Sequence, residues 1–362
     1  MGPFDAGLLM AVIGVTTPIL LAATGEVVSE RAGVLNVGLE GMMLAGAFAA
    51  FYTTWKFDSL LLGVIAGIAA GCFFAAIMAL LVVEGKADQI VAGIGINVLA
   101  VGATSFAYEQ IFSGRSAATV KTMDGLAIPG LSSLGGVGRA LFDAPPITYL
   151  AFLMVPAVWF LLSRTNWGLS IRAAGEVPEA ADTAGVSVRG IRWGATLFAG
   201  GMAGLGGAYL SIVDLGLFRQ EMTAGRGFLA LAAVIFGRWR AGGVLLACML
   251  FGGTDALQLR LQTSPSVPVQ VWVLIALVGL AFAVYSVVSR RRRAVPAGRE
   301  WAVGSVALVA GAALALISPS WSVPTQLWLA LPFLLALIAL AGAGSRIRMP
   351  AALNIPFRRG EA

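Results

Sequence analysis

Long apolar runs recur along the whole of this 362-residue sequence. A helix needs about 20 mostly apolar residues to cross a lipid bilayer, and many of the runs approach that length. They lie near residues 6–23, 35–55, 59–83, 89–112, 147–163, 191–213, 242–262, 269–289, 301–318 and 325–343. The sequence therefore predicts an all-α, polytopic transmembrane helix bundle that forms a single domain over residues 1–362.

The composition also indicates a membrane protein. Hydrophobic residues make up 59% of the chain and charged residues 12%, whereas soluble domains carry about 25% charged residues. No stretch is polar enough to form a separate soluble domain. One further apolar segment, 225–238, is short, so it is either re-entrant or a full crossing, and the bundle has about 10–11 spans.

The positions of the basic residues predict the orientation. Most of the 24 Lys and Arg residues fall on one side if the N-terminus is outside and the C-terminus is cytoplasmic, as the positive-inside rule requires. This orientation gives an external loop at 113–146 and a cytoplasmic loop at 164–190. It also explains the net charge of +6 without a nucleic-acid partner. The N-terminus lacks the basic segment of a cleavable signal, so we expect the first run to remain as a span.

The residue types argue against enzyme chemistry. The sequence has no histidine, which excludes Ser-His pairs and His-containing zinc sites. It has no GxxxxGK[ST] phosphate loop, and its two cysteines, Cys72 and Cys248, lie in apolar runs as small buried side chains do. We therefore expect no catalytic residue, metal site or bound cofactor on this chain. A transporter or channel is the class that fits.

Glycines recur at helical spacing in two of the apolar runs. Gly63, Gly67 and Gly71 follow one another at four-residue intervals, and Gly200, Gly204 and Gly207 line one side of a later run. Small residues at this spacing allow helix backbones to approach closely in lipid. The pattern predicts close helix packing and carries no information about a substrate.

One cytoplasmic stretch, "RTNWGLSIRAAGEVPEAADTAGVSVRGIR" at 164–192, contains the signals of a short helix. Pro178 suits the first helical turn, and Gly185 suits the residue that follows a helix end. Glu179 and Asp182 lie where the helix dipole favours negative charge. We predict a helix of about two turns outside the membrane. It is either a docking element or a solvated surface helix.

"EAADTAG" at 179–185 resembles the signature of ABC importer permeases, in which this loop forms a coupling helix that docks on the ATPase subunit. "SERAGVLNVGLEGMMLAG", "ALAAVIFGRW" and "PAALNIPFRR" are similar to the ribose, nucleoside and branched-chain amino acid branch of that family, and to its nucleoside (basic-membrane-protein-linked) subgroup in particular. The resemblance implies an ATPase-coupling set of Arg172, Glu176, Pro178, Glu179, Ala180, Ala181, Asp182 and Gly185.

Residues 267–321 depart from the family pattern. "SVPVQVWV" at 266–273 recurs as "SVPTQLWL" at 322–329, so this segment is predicted to be a two-helix insertion, with chance similarity as the alternative.

The same resemblance implies the assembly around the chain. An ABC ATPase subunit would bind ATP and Mg, and a second permease subunit would form a heterodimer with this one. An extracytoplasmic substrate-binding protein would deliver a small molecule across a bacterial plasma membrane. A nucleoside is the expected solute, followed by a simple sugar and then by a branched-chain amino acid.

Polar residues inside the apolar runs mark a candidate pathway. A charge at the centre of a lipid-facing helix costs at least ~2.5–3.5 kcal/mol, so Glu40 should face the bundle interior, on a helical face shared with Gly33 and Asn36. Two further polar stripes run through 89–108 and 252–262. The substrate-pathway candidates are Asn36, Glu40, Gln89, Asn97, Asp255 and Gln258. The alternative is that these side chains only hold the helices together by hydrogen bonds.

Two further readings remain open at this stage. Glu26, Glu30 and Arg31 are expected at the inner ends of the first spans, where water or the ATPase can solvate them. An ion-coupled secondary transporter would instead use an acidic residue at mid-membrane, such as Glu40 or Asp255. That class gives no role to the 179–185 loop, and a membrane enzyme would need catalytic groups that the sequence lacks.

Overall fold

The computed structural model describes residues 6–113, 118–132, 135–262 and 349–357, together with positions 280, 309 and 312–313. The runs near 269–289, 301–318 and 325–343 lie, apart from those isolated positions, outside the described residues. The same applies to the predicted insertion at 267–321. Throughout the described part the chain is predominantly helical, which confirms the predicted all-α bundle.

The helices follow the apolar runs closely. In chain order they are α1 (Ala6–Arg31), α2 (Leu39–Phe57), α3 (Leu60–Ala79), α4 (Gln89–Phe112), α5 (Gly135–Phe142), α6 (Pro146–Arg164), α7 (Asn166–Glu176), α8 (Pro178–Thr183), α9 (Val188–Ala208), α10 (Arg226–Phe236) and α11 (Ala241–Gln262). π-helical turns extend α3 to Glu84 and α9 to Leu215. Among the described residues, six helices are long and apolar enough to cross a membrane: α1, α3, α4, α6, α9 and α11.

Side-chain caps fix where several of these helices begin. Asp88 accepts hydrogen bonds from the backbone N–H groups of Ile90 and Val91 at the start of α4, at 3.0 and 2.9 Å. Thr165 caps α7 in the same way, by accepting a bond from the Gly168 amide. Because the first N–H groups of a helix have no partner within the helix, these caps define the turns between consecutive elements.

The predicted glycine stripes bring three backbones into contact. A Cβ atom on Gly71 would overlap the carbonyl oxygen of Gly200, and one on Gly204 would overlap that of Gly67. A Cβ on Gly46 would likewise overlap the backbone of Gly204, so α2, α3 and α9 meet directly. The prediction that these glycines serve close helix packing is confirmed.

The bundle has two distinguishable ends. At one end, which we name the coupling end, α8 lies with the last turn of α1 and the segment 349–357, and the Ala352 amide donates to the Gly175 carbonyl at 2.9 Å. At the other, the loop end, residues 118–132 pack on the end of the α9 extension, where the Val120 amide donates to the Gly216 carbonyl at 2.8 Å. The predicted external loop 113–146 contains α5 and a two-stranded pairing of β1 (Leu126–Ala127) with β2 (Asp143–Ala144).

Residues 216–240 run from the loop end back to the coupling end, but only their second half is helical. α10 has 11 residues and a length of about 16 Å, which is too short to cross a bilayer. Residues 216–225 before it are not helical. Non-helical backbone at membrane depth persists only where protein or a wet cavity surrounds it. The short apolar segment 225–238 therefore holds an 11-residue helix preceded by non-helical backbone, and we name residues 216–236 the broken crossing.

Two boundaries differ from the prediction. α1 continues to Arg31, well past the expected end at 23, and the following residues 32–38 are not helical. The cytoplasmic loop at 164–190 holds two helices, α7 and α8, where one was expected. Both differences arise because the polar residues in these stretches find partners in distant parts of the chain, as described below.

Candidate functional site

Glu40 lies where two helices begin. Its carboxylate accepts hydrogen bonds from the backbone amides of Gly225 and Gly227, at 2.8 and 2.7 Å, at the start of α10. Glu40 is also in the first turn of α2, and a Cβ on Gly227 would lie only 2.5 Å from the Glu40 amide nitrogen. The N-termini of α2 and α10 thus meet around one carboxylate, whose charge complements both helix dipoles. The expectation that Glu40 faces the interior is confirmed.

A pocket of about 600 Å³ opens beside this carboxylate. Its lining comprises Glu40, Gly41, Leu44, Asn97, Val98, Val101, Glu221, Thr223, Ala224, Gly225 and Phe228. α2, α4 and the broken crossing each contribute one wall. Among these residues there is no cationic side chain, and apolar groups surround a few hydrogen-bonding groups. A pocket of this size and character suits a small, uncharged, polar molecule.

Asn97 and Gln89 hold the connection between α1 and α2. The Asn97 amide accepts a bond from the Gly41 backbone at 2.8 Å and donates one to the Val37 carbonyl at 3.0 Å. Gln89 accepts a bond from the Leu35 amide at 2.7 Å. The α4 stripe that contains both residues does face the bundle, as predicted. Asn97 also reaches the pocket, whereas Gln89 is buried below it and acts between elements.

Asn36 is not on a helix with Glu40, so the predicted shared face of Gly33, Asn36 and Glu40 is wrong. Gly33 has φ +91°, in the left-handed region, and ends the continuation of α1. Asn36 is fully buried, and its side chain accepts a bond from the Gly38 amide at 3.1 Å. Asn36 therefore stabilises the turn that positions Glu40 beside the pocket.

Glu26 and Glu30 are completely buried, and the expectation that water or a partner solvates them is wrong. The Glu26 carboxylate accepts a bond from the Asn36 amide at 2.9 Å. Glu30 accepts one from the indole N–H of Trp239, in the turn between α10 and α11. Arg31 is half-buried and donates to the Trp239 carbonyl at 3.0 Å. These residues join α1 to the α10–α11 turn at the coupling end.

Asp255 and Gln258 lie away from the pocket. The Asp255 carboxylate pairs with the Arg226 guanidinium at 3.8 Å, and Arg226 is the first residue of α10. Gln258 is buried one turn further along α11. The start of α10 thus contacts Glu40 through two backbone amides and Asp255 through the Arg226 side chain. Of the six pathway candidates, Glu40 and Asn97 line one pocket together.

An aromatic cluster lies on the loop-end side of the pocket. Its members are Phe48, Phe51, Tyr52, Trp55, Tyr108, Phe112 and Phe218. The Phe218 ring centroid is 5.2 Å from that of Phe48 and 5.4 Å from that of Tyr108. Phe48 follows the pocket residue Leu44 by about one helical turn. Aromatic side chains therefore extend from the pocket towards the loop end.

α8 forms where the sequence predicted a short helix. It spans Pro178–Thr183, and Gly185 follows it with φ +85° in the left-handed region. Pro178 and Ala181 face inward and are buried, whereas Glu179 and Ala180 are exposed. Beneath it, the Arg172 side chain donates to the Gly168 carbonyl within α7, and the Glu176 carboxylate accepts a bond from the Ala351 amide at 3.4 Å. The arrangement presents one acidic face of a short helix away from the bundle.

Comparison with known proteins identifies the family. Residues 8–287 match the model of the branched-chain amino acid transport system / permease component family. The chain belongs to this family. It is a multi-pass membrane permease subunit of an ABC importer, which decides against an ion-coupled carrier.

Three relatives illustrate the range of the family. The permease is 44% identical over 264 residues to TsgC13 of Haloferax volcanii, an ABC transporter permease protein assigned to glucose, covering 72% of this chain and 79% of that one. It is 39% identical over 253 residues to the guanosine ABC transporter permease protein NupQ of Bacillus subtilis (67% and 78%). It is 35% identical over 245 residues to the nucleoside ABC transporter permease protein NupC of Lactococcus lactis (66% and 77%). A second, more distant permease of each organism also matches, at 28% identity in Haloferax volcanii, 27% in Bacillus subtilis and 24% in Lactococcus lactis.

Sequence reasoning missed much of the lining of the permease pocket. Glu221, Thr223 and Phe228 come from the broken crossing, which was considered only as a short apolar segment beginning at 225. A signal was present in "GLFRQEMTAGRG" at 216–227, since this polar, glycine-containing stretch lies between two apolar runs and suits a broken helix. Arg192 and Trp239 were also missed as buried polar residues, and nothing local distinguishes them.

Proposed function

We propose that the permease imports a nucleoside or a related simple sugar, and that the Glu40 pocket is part of its pathway. The pocket at the meeting point of α2 and α10 is the observation that carries this proposal. Glu40 already occupies the start of α10, where an anionic solute would otherwise bind. Glu221 adds a second acidic group, so the lining favours hydrogen bonding to hydroxyl-rich, uncharged molecules over binding of anions.

The aromatic cluster supports a nucleoside over a sugar alone. Base–aromatic stacking contributes about 1–3 kcal/mol per base in other proteins. Phe48 and Tyr108 lie on the route from the loop end to the pocket, and both are only partly buried. A nucleobase can stack there while the ribose hydroxyls reach the Glu40 pocket. The names of two of the relatives, which include guanosine and nucleoside, agree with this assignment.

The coupling set on α8 is proposed to dock on an ABC ATPase subunit, which binds ATP and Mg. Glu179 is exposed on a short helix that packs on the bundle through Pro178 and Ala181. A force on α8 therefore reaches α7 and α9 directly, since Ala174, Ala181 and Val188 form one buried cluster. ATP binding can shift the bundle between inward- and outward-facing states only if it favours one of them.

The permease is proposed to work as a heterodimer in a bacterial plasma membrane, with the coupling end and the C-terminus in the cytoplasm. Val98 and Phe228 at the mouth of the pocket are 67% and 48% exposed, so another surface can close the pocket there. A second, paralogous permease fits this role, because each organism of the three named relatives has such a pair of sequences. An extracytoplasmic binding protein would deliver solute at the loop end.

Reconstituted transport tests the proposal. The permease is purified together with its ATPase, the second permease and the binding protein. The complex is reconstituted into proteoliposomes, and ATP is supplied on the side of the membrane where the ATPase lies. Uptake of labelled guanosine, uridine, glucose and leucine is then compared. We expect ATP-dependent uptake of nucleosides, reduced at least about tenfold in Asn97→Ala because that change removes a lining group and loosens the 33–41 turn. Uptake of glucose alone would assign the sugar, and uptake of leucine alone would refute the proposal.

A further inference from the structure

Glu26 and Glu30 form a buried carboxyl pair near the coupling end of α1. The two residues are four positions apart, so they lie on one face of the helix. Both are 0% exposed. The Asn36 amide donates to Oε1 of Glu26 at 2.9 Å, and the Trp239 indole N–H donates to Oε2 of Glu30. These bonds leave one oxygen of each carboxyl group to be accounted for.

The two remaining oxygens lack a donor in the described part of the chain. Oε2 of Glu26 and Oε1 of Glu30 are both enclosed and accept no hydrogen bond. The two carboxyl groups are within hydrogen-bonding range of each other. Ionised carboxylates have only acceptor oxygens, so their contact would add repulsion to the cost of burying two charges. A single proton between the two groups would turn the same contact into a short O–H···O hydrogen bond and would satisfy both oxygens.

No cation among the described residues neutralises the carboxyl pair. The Arg31 guanidinium donates to the Trp239 carbonyl, and that of Arg192 donates to the Ile355 carbonyl. The ionisable side chains that the surrounding elements carry around the coupling end are Arg31 on α1, Glu40 on α2, Arg164 on α6, Arg172 and Glu176 on α7, Glu179 and Asp182 on α8, Arg189 and Arg192 on α9, and Arg238 and Arg240 between α10 and α11. α11 carries none before Cys248. None of these side chains is a hydrogen-bond or charge partner of the pair.

We propose that Glu26 and Glu30 form a binding site for one proton, which their carboxyl groups share. Two carboxylates at one site do not both ionise, and the proton belongs to the pair rather than to either residue. Through Asn36 the pair holds the turn at 32–38, which leads to Glu40, and through Trp239 it holds the turn between α10 and α11. The bound proton is therefore a structural ligand of the junction between these two turns and α1.

Infrared spectroscopy tests the proposal directly, because the C=O stretch of a protonated carboxyl group is separate from the bands of a carboxylate. The permease is measured near neutral pH, where exposed glutamates are ionised, in a detergent without ester groups. We expect a protonated-carboxyl band that shifts in D2O and weakens in both Glu26→Gln and Glu30→Gln. In each variant an amide N–H takes the place of the shared proton, so the fold is kept. Glu109→Gln, which changes an exposed residue of α4, is the matched control and should keep the band.

The proton also makes the stability of the permease depend on pH. Glutamates of the unfolded chain are ionised above about pH 5, whereas the folded pair keeps one proton. The folded permease then binds one proton more than the unfolded chain, so raising the pH favours unfolding. Titration with a denaturing detergent at several pH values from about 6 to 9 measures the effect. We expect the unfolding equilibrium constant to rise up to about tenfold more per pH unit in the unaltered permease than in Glu26→Gln.

Several outcomes would overturn the proposal. A spectrum of the unaltered permease without a protonated-carboxyl band would show that both glutamates are ionised, and this result needs no variant to fold. A band of equal strength in both glutamine variants would assign the proton to another residue. Equal dependence of unfolding on pH in the unaltered permease and in Glu26→Gln would show that folding binds no proton at this pair. A stability difference that follows the concentration of Na⁺ or Mg²⁺ instead of pH would show a metal cation between two carboxylates.

Discussion

The bonds between Glu40 and α10 make a prediction that can be measured at single peptides. Replacing Glu40 with alanine removes the acceptor of both the Gly225 and the Gly227 amides. In the broken crossing these two amides have no alternative acceptor within α10, because they belong to the first turn of the helix. We expect the start of α10 to open more often in Glu40→Ala while the rest of the bundle stays folded.

The size of the effect follows from the two distances. Hydrogen bonds of 2.8 and 2.7 Å to a charged acceptor contribute about 1.5–3 kcal/mol each. Glu40 is half-buried, so solvent screening places the value near the lower limit. At 1.4 kcal/mol per factor of ten, each amide should exchange its hydrogen about tenfold faster. Glu40→Gln keeps one acceptor oxygen and should show a smaller increase.

Hydrogen–deuterium exchange with mass spectrometry, on the permease in nanodiscs, can follow peptides that cover 219–229. Glu109→Ala is the matched control, because Glu109 is an exposed acidic residue on α4 and its side chain is outside the pocket. Equal exchange of the 219–229 peptides in Glu40→Ala and in the unaltered permease would show that the Glu40 carboxylate does not hold the start of α10. An increase spread over all helices would mean instead that the substitution destabilises the whole bundle.

Three further substitutions test other parts of the structure. Gly207→Ala should lower the folded yield, measured by fluorescence-detected size exclusion, because its Cβ would overlap the Met43 carbonyl; Gly194→Ala in the same helix has open space and should not. Trp239→Phe removes the indole donor to Glu30 and should lower the free energy of unfolding by about 1–3 kcal/mol in thermal melts. The 71% exposed Trp167, replaced by Phe, is its control, and equal melting of both variants would contradict the assignment. Glu179→Arg should abolish co-purification of the ATPase while leaving membrane insertion intact, and a retained ATPase would refute the coupling role of α8.

The sequence predicted those features of the fold that depend on neighbouring residues. The apolar runs indicated the helices, because span length is set by the bilayer. Pro178 and Gly185 located α8, because each residue favours one particular position at a helix end. The glycine stripes indicated close contact of helix backbones, since their spacing alone brings them onto one face.

The features that the sequence did not predict depend on distant contacts. Glu26 and Glu30 seemed to require water, but Asn36 and Trp239 supply their partners, and Trp239 lies 209 residues away from Glu30. The non-helical turn at 32–38 was read as helical because Gly33, Asn36 and Glu40 happen to have helical spacing. The pocket combines Glu40 with amides 185 and 187 residues later in the chain. No local pattern encodes such pairings.

The glycine contacts between α2, α3 and α9 have a consequence for which faces of α2 can change. Gly46 on α2 is fixed, because even a methyl group there would overlap the α9 backbone. Leu44, on the same helix, lines the pocket. One helix thus carries a face that holds the helix backbones together and a face that borders the pocket. Under the proposed function, a substitution on the pocket face of α2 can therefore alter the fit of a solute while the backbone contacts between α2 and α9 stay in place.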